Sequence, residues 1–312
     1  MIKLLRFFAM FSVLILCVPS AASAQGCAAG PLTVQILGSG GPFINSERAS
    51  SSYLLWVDGQ AKILVDMGGG AYLRFGQSGA KLSDLALVAI SHLHPDHVSD
   101  LPALLWLSHV VRKEPLPIVG PSAGKGVAGP AGNDLAPDFP TFLARLFDEK
   151  NGAFQVMGAT LGAAKGNGVR LEVSVVDVMK AEPSTVFDGQ GLKVTAFGIP
   201  HANMPTLAYR VETRNGSIVL SSDQNGTNPK FVDFARNANV LIMHLAIAAG
   251  AVSPLHAAPA VVGQIAQQAG VGRLIVSHIG LFDLDAAIAE LKKSYTGPLT
   301  IGADLQCTPV AP

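Results

Sequence analysis

The run Ala89-Ile90-Ser91-His92-Leu93-His94-Pro95-Asp96-His97 places three imidazoles and a carboxylate within six residues, directly after an apolar strand pattern. Four such groups clustered at a strand end are costly to desolvate together unless a cation organises them. His92 and His94, two residues apart, project to the same side of an extended segment. Asp96 and His97 follow the turn at Pro95 and can face a second cation about 3.5–4 Å from the first, the separation usual in two-metal sites.

Around this run the chain reads as alternating short strands and helices. Leu32 to Leu37, Ser52 to Val57, Lys62 to Val65 and Leu85 to Ile90 are β-branched or aromatic stretches with glycine between them, and read as strands. Helical periodicity appears in Val98 to Arg112, Phe139 to Phe147, Lys230 to Ala238, Ala258 to Ala269 and Leu284 to Tyr295. That alternation predicts a layered α/β domain, without internal repeat or low-complexity linker. Ser122 to Gly168 is rich in glycine and alanine around one amphipathic helix; a lid over a site and a helix packed on the sheet both fit it.

Residues 1–24 read as a signal peptide, because Lys3 and Arg6 precede an apolar run from Phe7 to Val18 and then Ala22-Ser23-Ala24. Cleavage is expected after Ala24. The apolar run falls short of the ~20 residues that span a bilayer, so no stable membrane anchor is expected. Residues 25–312 then form one domain, periplasmic or secreted, with two more acidic than basic residues. Lysine and arginine are scattered thinly, unlike the basic stripe of a nucleic-acid reader; a small-molecule substrate is expected and nucleic acid is not. Cys27 and Cys307 stand near opposite ends of this domain and pair as a disulfide in an oxidising compartment, or else are two separate buried thiols.

The unbroken His-x-His-x-Asp-His after a hydrophobic strand resembles the signature of the metallo-β-lactamase superfamily. Further segments follow in the order of that superfamily: Ile199-Pro200-His201 ahead of Leu207 to Val211, Leu220-Ser221-Ser222-Asp223, and Leu274-Ile275-Val276-Ser277-His278. The resemblance implies a four-layer αββα sandwich. It also implies one cation held by His92, His94 and His201 and another by Asp96, His97 and His278, with Asp223 bridging. Two zinc ions suit that set, and donors without thiolate also accept iron or manganese. Asp66, in Leu64-Val65-Asp66-Met67-Gly68, resembles the carboxylate that orients a ligand in this superfamily, and also reads as a plain turn aspartate.

The tail resembles the ribonuclease Z and arylsulfatase branch: His256 stands 22 residues before His278, where that branch has a histidine that assists the leaving group. The early Leu37-Gly38-Ser39-Gly40-Gly41-Pro42 agrees with it, whereas Pro42 argues against a dinucleotide fingerprint. Two departures stand out. Only 21 residues separate His201 from Asp223, where ribonuclease Z proteins insert an RNA-clasping arm, and His244 occupies the place of a glutamate that partners the helper histidine. His244 either replaces that partner or is a buried strand-end imidazole. His109 reads as structural.

The resemblance thus predicts an exported dinuclear hydrolase acting on a small phosphodiester or sulfate ester by a metal-bound hydroxide, with Asp96 orienting the water and His256 aiding the leaving group. A hydrolase of carboxylic esters, lactones or thioesters is the alternative of the same fold, and a non-catalytic metal- or ligand-binding protein the alternative of another class.

Overall fold

Apolar runs without polar alternation, such as Leu32–Gly38 and Ser52–Val57, are buried along both faces and so need a covering layer on each side. The computed structural model, which describes residues 27, 29–106, 112–124 and 136–310, supplies those layers. The first sheet comprises β1 (Leu32–Gly38), β2 (Ser52–Val57), β3 (Gln60–Val65), β4 (Leu87–Ala89), β5 (Leu116–Pro121), β6 (Leu171–Val176) and β14 (Cys307–Pro309), in the order β14-β1-β2-β3-β4-β5-β6. The second comprises β7 (Ser184–Gly189), β8 (Leu192–Ile199), β9 (Thr206–Thr213), β10 (Gly216–Leu220), β11 (Val240–His244), β12 (Arg273–Ser277) and β13 (Leu299–Ile301), in the order β13-β12-β11-β10-β9-β8-β7.

Alternate residues of each strand sort into two cores. Val34, Leu55, Ile63, Leu207, Tyr209 and Ile242 meet between the sheets. On the outer face of the first sheet, Leu54, Leu64 and Ile118 pack under α1 (Ala71–Ser78), α3 (Leu101–Trp106) and α4 (Phe139–Phe147). On the outer face of the second, Val219, Leu241 and Leu274 pack under α5 (Lys230–Ala235), α6 (Pro259–Ala269) and α7 (Leu284–Leu291). The result is the expected αββα sandwich, and each fully buried aliphatic side chain contributes about 1.5–3 kcal/mol to holding it.

Helix boundaries differ from the periodicity for local reasons. The expected Val98–Arg112 helix is split into one turn, α2 (Pro95–Val98), and α3, because the Met67 peptide bridges the junction: Met67 N donates to His97 O and Asp100 N donates to Met67 O. His109 lies outside the described residues. Leu85 to Ile90 narrows to β4, since Leu85 N closes a 3-10 turn on Leu82 O. Helix α4 has the expected bounds, is capped by Asp138 accepting from Thr141 N, and packs Phe139, Leu143 and Phe147 onto the sheet, which is the packed-helix alternative for that segment. Cys27 and Cys307 form a disulfide. Among the described residues no helix is long and apolar enough to cross a membrane.

Candidate metal centre

Strand direction gathers the polar residues at one rim. In the second sheet β10, β11 and β12 run parallel, and two successive antiparallel pairings, β8 with β9 and β9 with β10, bring β8 into the same direction. The carboxyl ends of these strands therefore deliver His201, Asp223, His244 and His278 side by side. In the first sheet β3 and β4 are parallel and deliver Asp66 and the His92–His97 run. Hydrogen bonds across the sandwich lock the two rims in register: Tyr209 Oη donates to Ile90 O at 2.8 Å, Leu207 N to Ser91 O at 2.9 Å, and Tyr53 Oη to Ser277 Oγ at 3.0 Å.

The seven residues expected to ligate metal, together with His256, converge there. His92, His94 and His201 form one group of donors, Asp96, His97 and His278 a second; His92, His97 and Asp223 form a third, and His201, Asp223 and His256 a fourth. Asp223 Oδ2 sits at the centre, 3.1 Å from His278 Nε2, 3.6 Å from His97 Nε2, 3.7 Å from His201 Nε2 and 3.9 Å from His256 Nδ1. Asp96 Oδ2 is 3.1 Å from His278 Nε2.

The outer nitrogens fix the tautomers. Ser91 Oγ donates to Asp66 Oδ2 at 2.7 Å, so His92 Nδ1, 3.0 Å from that hydroxyl, must be its donor and His92 Nε2 carries a lone pair. His201 Nδ1 donates to Leu255 O at 2.7 Å, which likewise leaves Nε2 bare. Both lone pairs point at His94 Nδ1, at 3.0 Å and 3.2 Å, and one N–H cannot satisfy both. A cation satisfies all three nitrogens: the edge of a zinc tetrahedron with bonds of roughly 2.0–2.1 Å is about 3.3 Å. His97 Nδ1 donates to Asp66 Oδ2 at 2.8 Å, while its Nε2 is buried without a hydrogen-bond partner beside Asp96 and Asp223. The residues present thus fit a pair of cations.

Charge follows the same geometry. Burial alone would raise the Asp223 carboxyl, but His278 and His97 outweigh it and hold it well below the usual carboxylate range. Burial would lower His278, but Asp223 and Asp96 hold it up to about 9; His97 is likewise held well above its ordinary value against burial by Asp223 and Asp66. His92, buried and beside His97, is pushed well down.

His244 is settled by its hydrogen bonds. Its Nδ1 donates to Ser222 O at 3.0 Å and its Nε2 accepts from Ala257 N at 3.1 Å, so both nitrogens are taken by backbone and neither is left for His256, 5.3 Å away between ring centroids. Burial pushes it down to about 4, and it is the neutral strand-end imidazole of the two alternatives.

Several supporting residues went unread in the sequence. Ser91 passes the Asp66 charge on to His92. Gly41 lies against His278, where a Cβ would come within 2.7 Å of Cε1, and Gly68 lies where a Cβ would be 2.1 Å from Asp96 O. The early glycine run carries the first of these, a close-approach requirement that only a fold makes visible. Asp304 Oδ1 accepts from Ser39 N and Oγ, and its Oδ2 from Ala49 N and Arg74 Nε, clamping the loop that bears Gly41. Asp66, Ala202, Ser222 and His278 all take positive φ, a concentration of backbone strain at the strand ends that form the site.

Two stacked mixed sheets flanked by helices, with a cluster of His and Asp donors at one rim, have the metallo-β-lactamase fold. Within it the chain resembles ribonuclease Z: it is 28% identical over 265 residues to ribonuclease Z of Mycolicibacterium paratuberculosis, across 79% of this chain and 85% of that one. The model of the family described as Anti-Pycsar protein Apyc1 matches residues 32–122. Among solved structures, the metallo-β-lactamase fold protein YhfI from Bacillus subtilis superposes with a TM-score of 0.66 at 22% identity, covering 89% of this chain and 99% of that one. The short form of human tRNase Z gives 0.65 at 21% identity, covering 90% and 100%.

Proposed function

We propose that this chain is an exported two-metal hydrolase that cleaves small phosphodiesters or sulfate esters. The observation that carries the reading is the overlap of two donor sets at one carboxylate, Asp223, which faces imidazoles of both. His92, His94 and His201 would hold one cation, Asp96, His97 and His278 the other, and Asp223 both. Zinc suits these nitrogen and oxygen donors, with iron and manganese as the other outcomes of a metal analysis.

Two such cations, when bound, would supply Lewis acidity at the ester and lower the pKa of a water toward neutrality. The chain's own residues do the positioning. Asp66 and Ser91 set the rings of His97 and His92, and the Leu255 carbonyl sets His201. Asp96 accepts a hydrogen bond from the attacking water and so aims it. His256, pushed down to about 3 by burial and by His244, is uncharged at neutral pH and offers an N–H to the departing oxygen.

Ester cleavage at phosphorus is favoured by the likeness to ribonuclease Z. A small substrate is favoured because β9 and β10 occupy the interval between His201 and Asp223 as a tight hairpin, in place of an RNA-clasping arm. The leader pattern of residues 1–24 and the Cys27–Cys307 disulfide support export to an oxidising compartment. Exposed Phe43, Ile44 and Leu281, on the loops that follow Gly41 and His278, favour a second reading, a carboxylic ester, lactone or thioester with an apolar acyl group.

The test is a side-by-side assay of the zinc-loaded protein on bis(p-nitrophenyl) phosphate, p-nitrophenyl sulfate and p-nitrophenyl acyl esters. Faster turnover of the diester or sulfate, lost in Asp96→Ala and His201→Ala, is the expected result. Faster acyl-ester turnover moves the assignment to the second reading, and bound metal without turnover on any of them makes the chain a binding protein.

A further inference from the structure

A cleft of about 580 Å³ has His201 in its wall. That size lies within the range of small-molecule sites. Gly124 and three longer segments wall it: Val178 to Ala181 ahead of β7, the end of β8 with the loop to Thr206, and Thr227 to Lys230 at the start of α5. The floor is apolar, built on Phe197, Ile199 and Pro205, with Met179 66% exposed at the edge. His201 belongs to both the cleft wall and the donor cluster, which places the cleft next to that cluster.

Two lysines give the cleft its sign. Lys180 Nζ donates to the neutral Ser184 Oγ at 3.2 Å, and Lys230 Nζ donates to Ala181 O and to Glu182 Oε1, both at 3.2 Å. One of the two positive charges is thus met by an exposed carboxylate and the other by a hydroxyl. Lys180 and Lys230 are the charged side chains that line the cleft; the nearby carboxylates, Glu182 beside Lys230 and Asp177 on the Met179 amide, stand outside that lining.

We propose that this cleft receives the part of the substrate beyond the scissile ester, and that Lys180 and Lys230 select substrates in which that part is a compact apolar body ending in a second anionic group. This inference rests on the hydrolase reading above and narrows its substrate class. The apolar floor takes the body by burial, and the lysines take the anion at the solvent edge, where the attraction is modest and screened by salt.

The experiment uses two diesters with the same leaving group, 4-nitrophenyl phenyl phosphate and 4-nitrophenyl 3-carboxyphenyl phosphate. At low ionic strength the zinc-loaded wild type is expected to prefer the carboxylated diester in kcat/KM by about fivefold to tenfold, mainly through KM, and to lose that preference in high salt. The double variant Lys180→Gln/Lys230→Gln is expected to abolish the preference, and Lys193→Gln, on β8 outside the cleft, to keep it. Equal rates on both diesters in the wild type, or an unchanged preference in the double variant, overturn the proposal while leaving the hydrolase reading intact. If neither diester is cleaved, the phosphodiester part of that reading fails instead, and the cleft is judged by calorimetry with 3-carboxyphenyl phosphate. Weaker binding in the double variant than in the wild type supports the lysine subsite, and equal binding or none overturns it.

Discussion

Asp66 accepts from His97 Nδ1 at 2.8 Å with the same oxygen that accepts from Ser91 Oγ at 2.7 Å, so one buried carboxylate steers imidazoles on both sides of the donor cluster. Replacing it by asparagine keeps the shape and removes the charge. Asp66→Asn is therefore expected to weaken zinc binding by about 10-fold to 100-fold, the usual cost of losing such an orienting partner. Competition with a chromophoric chelator measures this, and unchanged affinity would mean that Asp66 serves only the turn.

Gly41 predicts a more selective lesion. A methyl group there meets the His278 ring at 2.7 Å, and that ring is held from its other edge by Asp96 and Asp223. Gly41→Ala is expected to displace His278 and release one of two zinc ions, with the fold retained. Metal content by mass spectrometry and the circular dichroism spectrum check the two halves of this statement.

The disulfide closes a loop spanning a sequence separation of 280 residues, tying the start of the domain to β14. Its reduction, or the Cys27→Ser/Cys307→Ser double variant, is expected to lower stability by about 3–5 kcal/mol. Denaturant unfolding with and without reductant measures the difference, and coincident transitions would contradict it.

Protein stripped of metal is expected to lose stability as pH rises from 7 to 9. His278 is held up to about 9 in the folded chain by Asp223 and Asp96, against 6.5 as the ordinary value. A raised imidazole contributes stability that is fully present below the unfolded value and disappears as pH climbs through the folded one. The loss should be on the order of 2 kcal/mol. Zinc-loaded protein, whose coordinating imidazoles are already neutral, should lack this slope, and urea unfolding at both pH values separates the two cases.

How much of this was legible in the sequence depended on whether a feature was local. The His92–His97 run is read in one glance because its donors are close in sequence, and the Phe139–Phe147 helix because its apolar spacing is local too. His201, Asp223 and His278 are legible only through the order of segments that the superfamily resemblance supplies, since their nearness is made by parallel strands far apart in the chain. Ser91, Gly41 and Asp304 were unreadable: a serine before a histidine, a glycine in a glycine run and an aspartate near the end acquire meaning only from what stands opposite them. The break between α2 and α3 escaped for a related reason, because helical periodicity does not register a competing hydrogen bond from the Met67 loop. His244 shows the reverse case, an apparent substitute for a catalytic partner that proves to be tied to backbone on both nitrogens.

Every donor group that draws on His92, His94, Asp96 or His97 is completed by a residue of the opposite sheet, His201, Asp223 or His278. Among the described residues the first half of the sandwich completes no donor group by itself, whereas the second completes one, His201 with Asp223 and His256. An ion held by a shared group therefore acts as a rivet between the halves, and the chain should acquire tight metal affinity only at the last stage of folding, when the two sheets have closed on each other. Under the export proposed above, with the chain crossing the membrane unfolded, such a dependence would keep the site from charging before the chain reaches its destination.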